Sequence, residues 1–167
     1  MVTYLTWTAL RFGKYEGKTL PQIVLTDPDY FFWASERGIF RDPQDSEAEE
    51  IAYRARHIKI PKPDPENWRV EYEFSLDHKF VNFSIIDAKT ATSIAPYNKI
   101  GTHLDLSLPR EMKTYDKLGS KLMLANFRNY YFDGSNLTKE KCENFFYRSK
   151  NFIWRKDEKV IPDSNAG

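Results

Sequence analysis

The chain has 167 residues, the length of about one domain, which excludes two large hydrophobic cores. Its content of 41% hydrophobic and 16% aromatic residues excludes a disordered or fibrous protein. The net charge is only +1, yet residues 42–77 carry ten acidic and five basic side chains, and residues 110–159 carry seven acidic and twelve basic ones. This segregation favours an acidic face and a basic face that attract a charged partner.

The N-terminal residues predict a hairpin followed by a helix. Residues 3–12 are rich in aromatic and β-branched side chains, and Gly13 and Gly17 occupy turn positions. Asp27-Pro28 supplies an N-cap and a first-turn proline, and Gly38 supplies a stop. The glycine-rich turn is one residue shorter than the phosphate-binding pattern G-x-x-x-x-G-K-[ST], which argues against an NTPase loop.

A second helix and a small antiparallel sheet are predicted next. Ser46 and Glu49 form a capping box for the helix, and prolines from Pro61 onward end it. Hydrophobic and polar residues then alternate with a period of two, which is typical of half-buried strands. The predicted strands are residues 68–76, 80–86 and 104–108, with a hairpin tip at 77–79 and Pro109 closing the third strand.

The last third is predicted to be helical. One helix runs from Thr114 to Phe132 and stops at Asp133-Gly134, and Thr138 caps another whose buried stripe includes Cys142. The overall prediction is an α+β fold, in which a small antiparallel sheet is flanked by helices and preceded by the hairpin-plus-helix module. Its parts are residues 1–42, 43–66, 67–155 and a tail at 156–167, expected to form one compact unit.

The sequence carries no sign of a membrane or secreted protein. No apolar run approaches the roughly 18 residues of a membrane span, and the N-terminus lacks the basic and apolar regions of a secretory signal. The lone Cys142 can form no internal disulfide and brings no cluster of zinc ligands. We therefore expect a cytoplasmic protein that contacts no membrane and needs no cofactor or metal.

A metal-dependent nuclease is one hypothesis for chemistry. Asp87 and Lys89 form a D-x-K pattern at a strand end, where a carboxylate binds a metal and the lysine assists the attacking water. The second carboxylate would have to come from Asp77 or Asp64. The alternative is that Asp87 only terminates its strand.

Nucleophilic catalysis has little support. His57, His78 and His103 form no His-x-x-x-His pair, and no serine lies in a Gly-x-Ser-x-Gly elbow. His103 and Asp105 share one strand face, where they either orient an imidazole or form a solvated polar surface.

Basic residues of the helical region suggest a different activity. Four of them fall at i, i+4, i+8 and i+15, within roughly 80° of one another on a helix, so they could neutralise phosphates. They are Lys113, Lys117, Lys121 and Arg128, with Lys141 and Arg148 nearby and Asn126, Asn129, Tyr130 and Tyr131 interleaved for base stacking. The alternative is a solvated helix face.

Residues 11–38 carry the sequences FGKYEGKTL and DPDYFFWA. This pattern resembles the C-terminal module of exodeoxyribonuclease X-like proteins and of small stand-alone bacterial proteins labelled as quorum-sensing-regulated factors. The resemblance implies an accessory role with nucleic-acid contact through Lys14, Tyr15 and Lys18, and it brings no catalytic residues. The module core is expected to contain Phe12, Tyr30 and Trp33. Residues 115–146 resemble a bacterial or phage family with no attached activity.

The sequence therefore predicts a non-enzymatic nucleic-acid-binding accessory protein that uses the basic helix face and the hairpin lysines. One alternative is a protein-interaction module or inhibitor that binds a partner protein through its acidic and basic helices. The metal-dependent nuclease centred on Asp87 and Lys89 is the other. The oligomeric state, the partner and any base preference stay open.

Overall fold

The computed structural model describes residues 7–93 and 95–153 of the chain. In this part, six α-helices accompany a three-stranded antiparallel sheet, which confirms the predicted α+β class. The chain divides into two compact units, one of Met1–Arg54 with Thr138–Gly167 and the other of Ala55–Leu137. Residues 3–6 of the predicted first strand and the predicted tail lie outside the described residues.

The first unit begins with a tight loop. A single antiparallel bridge joins Ala9 to Thr19, and the Gly17 N–H donates to the Leu10 carbonyl over 2.8 Å. Gly13 and Gly17 have φ values of 80° and 84°, which confirms their turn positions. The loop is followed by helix α1, Leu20–Thr26, which the sequence did not predict because its apolar residues occupy only two turns.

Of the two predicted N-terminal caps in the next two helices, one is confirmed and one is wrong. Helix α2, Pro28–Glu36, starts after Asp27 as predicted, and the Asp27 side chain accepts a hydrogen bond from the Tyr30 N–H. Helix α3, Gln44–Arg56, begins two residues before Ser46, so the predicted capping box is wrong. Its end at Arg56 also precedes the prolines.

Aromatic and aliphatic side chains fill the core of the first unit. Helix α6, Lys139–Tyr147, packs against α1, and its N-cap is Thr138 as predicted. Cys142 lies on the buried face of α6. The largest fully buried side chains of this unit are Phe31, Phe32, Phe146, Leu20, Ile23, Leu25 and Ile51.

The sheet of the second unit has the strand order β2-β1-β3. Its strands are β1, Trp68–Phe74, β2, Phe80–Asp87, and β3, Lys99–Gly101. The first two confirm the predicted strands, and the tip residue His78 has a φ of 63°. Val70, Tyr72, Phe80 and Phe83 are buried, while Leu76 lies beyond the strand and is exposed.

The third predicted strand is wrong. Leu104 forms only an isolated bridge with Ile58, and the Leu106 N–H donates to the Ala55 carbonyl. Leu108 begins helix α4, Leu108–Lys113. The alternation therefore reflects two buried leucines in a loop, and Pro109 lies in the first turn of a helix, where its missing N–H costs nothing.

The long helix predicted from Thr114 begins three residues later, at Lys117, and a separate short helix precedes it. α4 ends at Lys113, and helix α5, Lys117–Phe132, starts after a new cap at Asp116. The predicted stop is confirmed, because Asp133 and Gly134 have φ values of 51° and 69°.

The Asp116 carboxylate connects α5 to the sheet. Its Oδ1 accepts a hydrogen bond from the Gly119 N–H, and its Oδ2 accepts one from the Phe80 N–H, each over 2.8 Å. The side chain is buried, and a Cβ at Gly119 would lie 2.0 Å from Asp116 Oδ2. The cap therefore requires glycine at position 119 and fixes the start of α5 beside the start of β2.

We expect Asp116→Ala to lower the free energy of unfolding by about 3 kcal/mol, because it leaves two buried N–H groups without acceptors and removes a helix cap. Urea denaturation measures this change. The exposed Asp45 in the first turn of α3 provides the control, since Asp45→Ala should cost less than about 1 kcal/mol. Equal losses in the two variants would contradict the assigned role of Asp116.

Glu47 is a buried acid in the first unit. Its side chain is 5% exposed, and its Oε1 accepts hydrogen bonds from the Thr8 N–H and hydroxyl. Its Oε2 is buried and has no hydrogen bond. Burial raises the pKa of the Glu47 carboxyl, and the two bonds from Thr8 oppose this only in part.

Because the pKa of Glu47 is raised in the folded state, its protonated form stabilises the fold below the ordinary pKa of 4.5. This stabilisation is lost as the pH rises. Glu47→Gln keeps the acceptor oxygen for Thr8 and removes the charge. We expect the variant to unfold at a higher temperature than the parent at pH 7, with the difference closing toward pH 4. The exposed Glu49→Gln serves as the control and should show no such trend.

Candidate nucleic-acid interface

Two loop residues predicted to contact nucleic acid, Lys14 and Tyr15, instead form hydrogen bonds within the first unit. Lys14 Nζ donates to Asp27 Oδ2 over 3.2 Å, and the Tyr15 hydroxyl donates to the same oxygen over 2.6 Å. The Tyr15 ring packs edge-on against Tyr30 at 5.0 Å between centroids. Lys14 and Tyr15 therefore tie the loop to the start of α2, while Lys18 is exposed.

This arrangement changes the ionisation of Asp27. Burial acts to raise the pKa of the Asp27 carboxyl, but hydrogen bonds from Tyr15, the Tyr30 N–H and Lys14 outweigh it and lower the pKa. Burial and the nearby carboxylate raise the pKa of the Tyr15 hydroxyl. Lys14 therefore already has the Asp27 carboxylate as its partner.

The expected module core is wrong in part. Phe12 and Trp33 are each 42% exposed, and Tyr30 is only half-buried, with its ring 5.8 Å from that of Trp33. The buried positions of α2 belong instead to the adjacent Phe31 and Phe32. The aromatic pattern alone could not tell which two of the four rings face inward.

The predicted basic stripe is divided between two helices. Lys113 ends α4, whereas Lys117, Lys121 and Arg128 belong to α5. Lys113, Lys117 and Lys121 are exposed, and Arg128 is half-buried. Lys117 and Lys121 form no ion pair within the described part of the chain. Helix α5 contains no acidic residue over its 16 positions, so its exposed charge is entirely positive.

The tyrosines predicted for base stacking are engaged inside the second unit. The Tyr130 ring stacks on Phe83 at 5.1 Å, and its hydroxyl accepts a hydrogen bond from the Ile85 N–H. The Tyr131 hydroxyl donates to the Lys59 carbonyl, and burial raises its pKa. Asn126 donates to the Asn82 side chain, while Asn129 is exposed.

Three exposed apolar side chains are close to the lysines in the sequence, and the sequence prediction missed them. Tyr115 is 57% exposed in the turn before α5, and Leu118 and Leu122 are 80% and 42% exposed on the helix. The signal was present in the helical spacing, because Met123 and Phe127 fill the inward face and lie more than about 90° from Leu118. We define the α5 surface as Lys113, Tyr115, Lys117, Leu118, Lys121 and Leu122.

The other predicted basic residues belong to the first unit. Lys141 lies in the first turn of α6, and Arg148 is the C-cap of that helix. Both side chains are exposed. They therefore form part of a different unit from the α5 surface.

The nuclease hypothesis gains no metal site. Asp87 Oδ1 accepts a hydrogen bond from the Lys89 N–H over 2.7 Å, which makes it the cap of the turn after β2. Asp77 lies in the turn before β2, whereas Asp87 is the last residue of that strand. The strand separates them by roughly 23 Å, so they cannot share a metal. The two oxygens of Asp64 accept from Asn67 and Trp68. Among residues 7–93 and 95–153, no three His, Cys, Asp or Glu side chains could hold a metal ion together.

Two histidines that are distant in the sequence meet in the second unit. The rings of His57 and His103 stack at 5.3 Å, next to the bridge between Ile58 and Leu104. Burial and the neighbouring imidazole lower the pKa of His103, and Asp105 opposes this. His103 therefore favours its neutral form. The sequence could not reveal the pair, because the contact is long-range.

The comparisons with known proteins found no matching family model, no matching curated protein and no matching solved structure. The resemblance of residues 11–38 to exodeoxyribonuclease X-like modules therefore stays a prediction. No helix in the described part of the chain is long and apolar enough to cross a membrane.

The loop contacts lead to a prediction for Tyr15→Phe, which removes one hydrogen bond from the Asp27 carboxylate. We expect a loss of about 1 kcal/mol in the free energy of unfolding at pH 7. Because hydrogen bonding lowers the pKa of Asp27, its contribution is present above the ordinary pKa of 3.8 and is lost as the pH falls. The deficit of the variant should therefore shrink in acid. Tyr97→Phe, on an exposed ring of the second unit, should leave stability unchanged at every pH.

Proposed function

We propose that the protein is a non-enzymatic nucleic-acid-binding accessory protein and that its principal contact is the α5 surface. The observation that carries this proposal is a pair of exposed lysines on a helix without acidic residues. Lys117 and Lys121 are four residues apart, about 6 Å along the helix axis, and so lie on one side of α5. Two fixed positive charges at this spacing can bind successive phosphates of one strand.

The surroundings of the lysines support the same proposal. The carboxylate nearest in sequence, Asp116, is buried and accepts from two backbone N–H groups, so it is directed away from the solvent. Lys113 adds a third exposed cation just before the turn. Lys14 is bound to Asp27, which leaves the N-terminal loop a weaker electrostatic attractor than the α5 surface.

Fluorescence anisotropy of labelled oligonucleotides across a salt series tests this proposal. We expect the double variant Lys117→Ala with Lys121→Ala to bind at least tenfold more weakly than the parent. The slope of log affinity against log salt concentration should fall by roughly 1.4–1.8, because each lost phosphate contact removes about 0.7–0.9 from it.

The control variant, Lys79→Ala with Lys150→Ala, removes the same charge from exposed positions outside the α5 surface. It should keep the parental affinity and slope. Binding that is absent, or that is equally weakened by both double variants, would contradict the proposal.

A second candidate function is supported by the exposed leucines. Leu118 and Leu122 lie one turn apart on α5, and apolar side chains at this spacing are typical anchors for a partner protein. In this candidate the protein is an interaction module whose partner offers an apolar groove with an acidic rim. A partner that stays bound after nuclease treatment, and that Leu118→Ser releases, would favour this function over the first.

A further inference from the structure

The turn between α4 and α5 presents one aromatic ring to the solvent. The Tyr115 N–H donates to the Met112 carbonyl over 3.0 Å, and the next residue, Asp116, is held by the buried cap. The backbone of Tyr115 is therefore fixed on both sides, while its ring is 57% exposed. Lys113 and Lys117 flank it two residues away in each direction.

The exposed face of α5 is poorly suited to reading a duplex. Major-groove recognition uses several side chains such as Arg, Lys, Asn or Gln, which form hydrogen bonds with base edges across neighbouring helical positions. Apart from the two lysines, and from Asn129 and Tyr130 near the C-terminal end, the outward positions of α5 hold Leu118, Leu122 and Ala125. These side chains can form no hydrogen bonds with base edges.

The same face suits unpaired bases. Every unpaired base exposes an apolar π-face, and aromatic side chains beside a positively charged track are the usual means of holding a single strand. Tyr115 supplies the ring, Leu118 and Leu122 extend the apolar surface, and the lysines supply the charge. A duplex hides its base faces inside the stack and would leave this apolar surface uncovered.

We infer that the α5 surface binds single-stranded nucleic acid, with Tyr115 stacked on an unpaired base and the lysines holding the flanking phosphates. This inference rests on the proposed function and specifies the class of ligand. Recognition on this surface is tolerant of base sequence, because stacking is available to every base.

The test compares a labelled 12-nucleotide oligothymidylate with a 12-base-pair duplex in the same anisotropy titration. The full chain should bind the single strand at least tenfold more tightly than the duplex. Tyr115→Ala should weaken single-strand binding by about tenfold, in line with the loss of one base-stacking contact. It should leave the salt slope unchanged, because no charge is removed.

Two variants make the result specific to the ring. Tyr115→Trp keeps an aromatic surface and should restore single-strand binding, which a purely structural role in the turn would not explain. Tyr97→Ala removes another exposed tyrosine of the second unit and should leave the affinity unchanged. Urea denaturation of each variant shows that the fold is intact.

The outcomes separate the inference from the proposed function. Equal affinity for both ligands, with Tyr115→Ala silent and the Lys117 and Lys121 variants defective, would overturn the inference and leave nucleic-acid binding in place. Absence of binding to either ligand would overturn both. In that case, capture of a protein that Leu118→Ser releases would assign the surface to a protein partner.

Discussion

In each unit of the fold, one aspartate side chain binds two segments at once, and that of the second unit, Asp116, is buried. In the second unit, Asp116 caps α5 and also accepts a hydrogen bond from the first residue of β2, Phe80. In the first unit, Asp27 caps α2 and also receives the hydroxyl of Tyr15 from the preceding loop. Ordinary N-caps satisfy only their own helix. Here the second oxygen fixes the helix start relative to another element, so one side chain determines both the boundary and the position of its helix.

The position of α5 decides which residues can meet a ligand. With its N-terminus fixed at Asp116, the helix lies along β2, where Phe127 and Met123 are buried and Tyr130 stacks on Phe83. Near the C-terminal end, Tyr130 packs one side of its ring on Phe83 but stays 39% exposed. The opposite side must then face the solvent, and it carries Leu118 and the lysines. The apolar and basic surface is therefore a consequence of how the sheet is covered.

Local signals in the sequence predicted the elements that depend on local physics. The alternation from Trp68 gave β1, and the caps at Asp27, Thr138 and Asp133-Gly134 gave three helix boundaries that the structure confirms. Long-range contacts account for the errors. The cap at Asp116 also accepts a hydrogen bond from Phe80, 36 residues away. The third strand failed because Leu104 pairs with Ile58 instead of the sheet. A periodic pattern in the sequence cannot identify partners so far apart in the chain.

The candidate site shows the same division between composition and placement. The sequence identified the lysines of α5, since their helical spacing is visible without a structure. The sequence prediction gave Lys14 the same phosphate-binding role as the α5 lysines. It could not show that Asp27, 13 residues away, binds Lys14. It chose Tyr130 and Tyr131 for stacking, whereas the structure packs Tyr130 on Phe83, bonds Tyr131 to Lys59 and leaves Tyr115 57% exposed. A binding surface consists of side chains that core packing does not engage, such as cations without a fixed counter-charge and rings without a packing partner. Tyr115 and the first lysine of α5, Lys117, are two residues apart, which is the combination from which we propose single-strand binding.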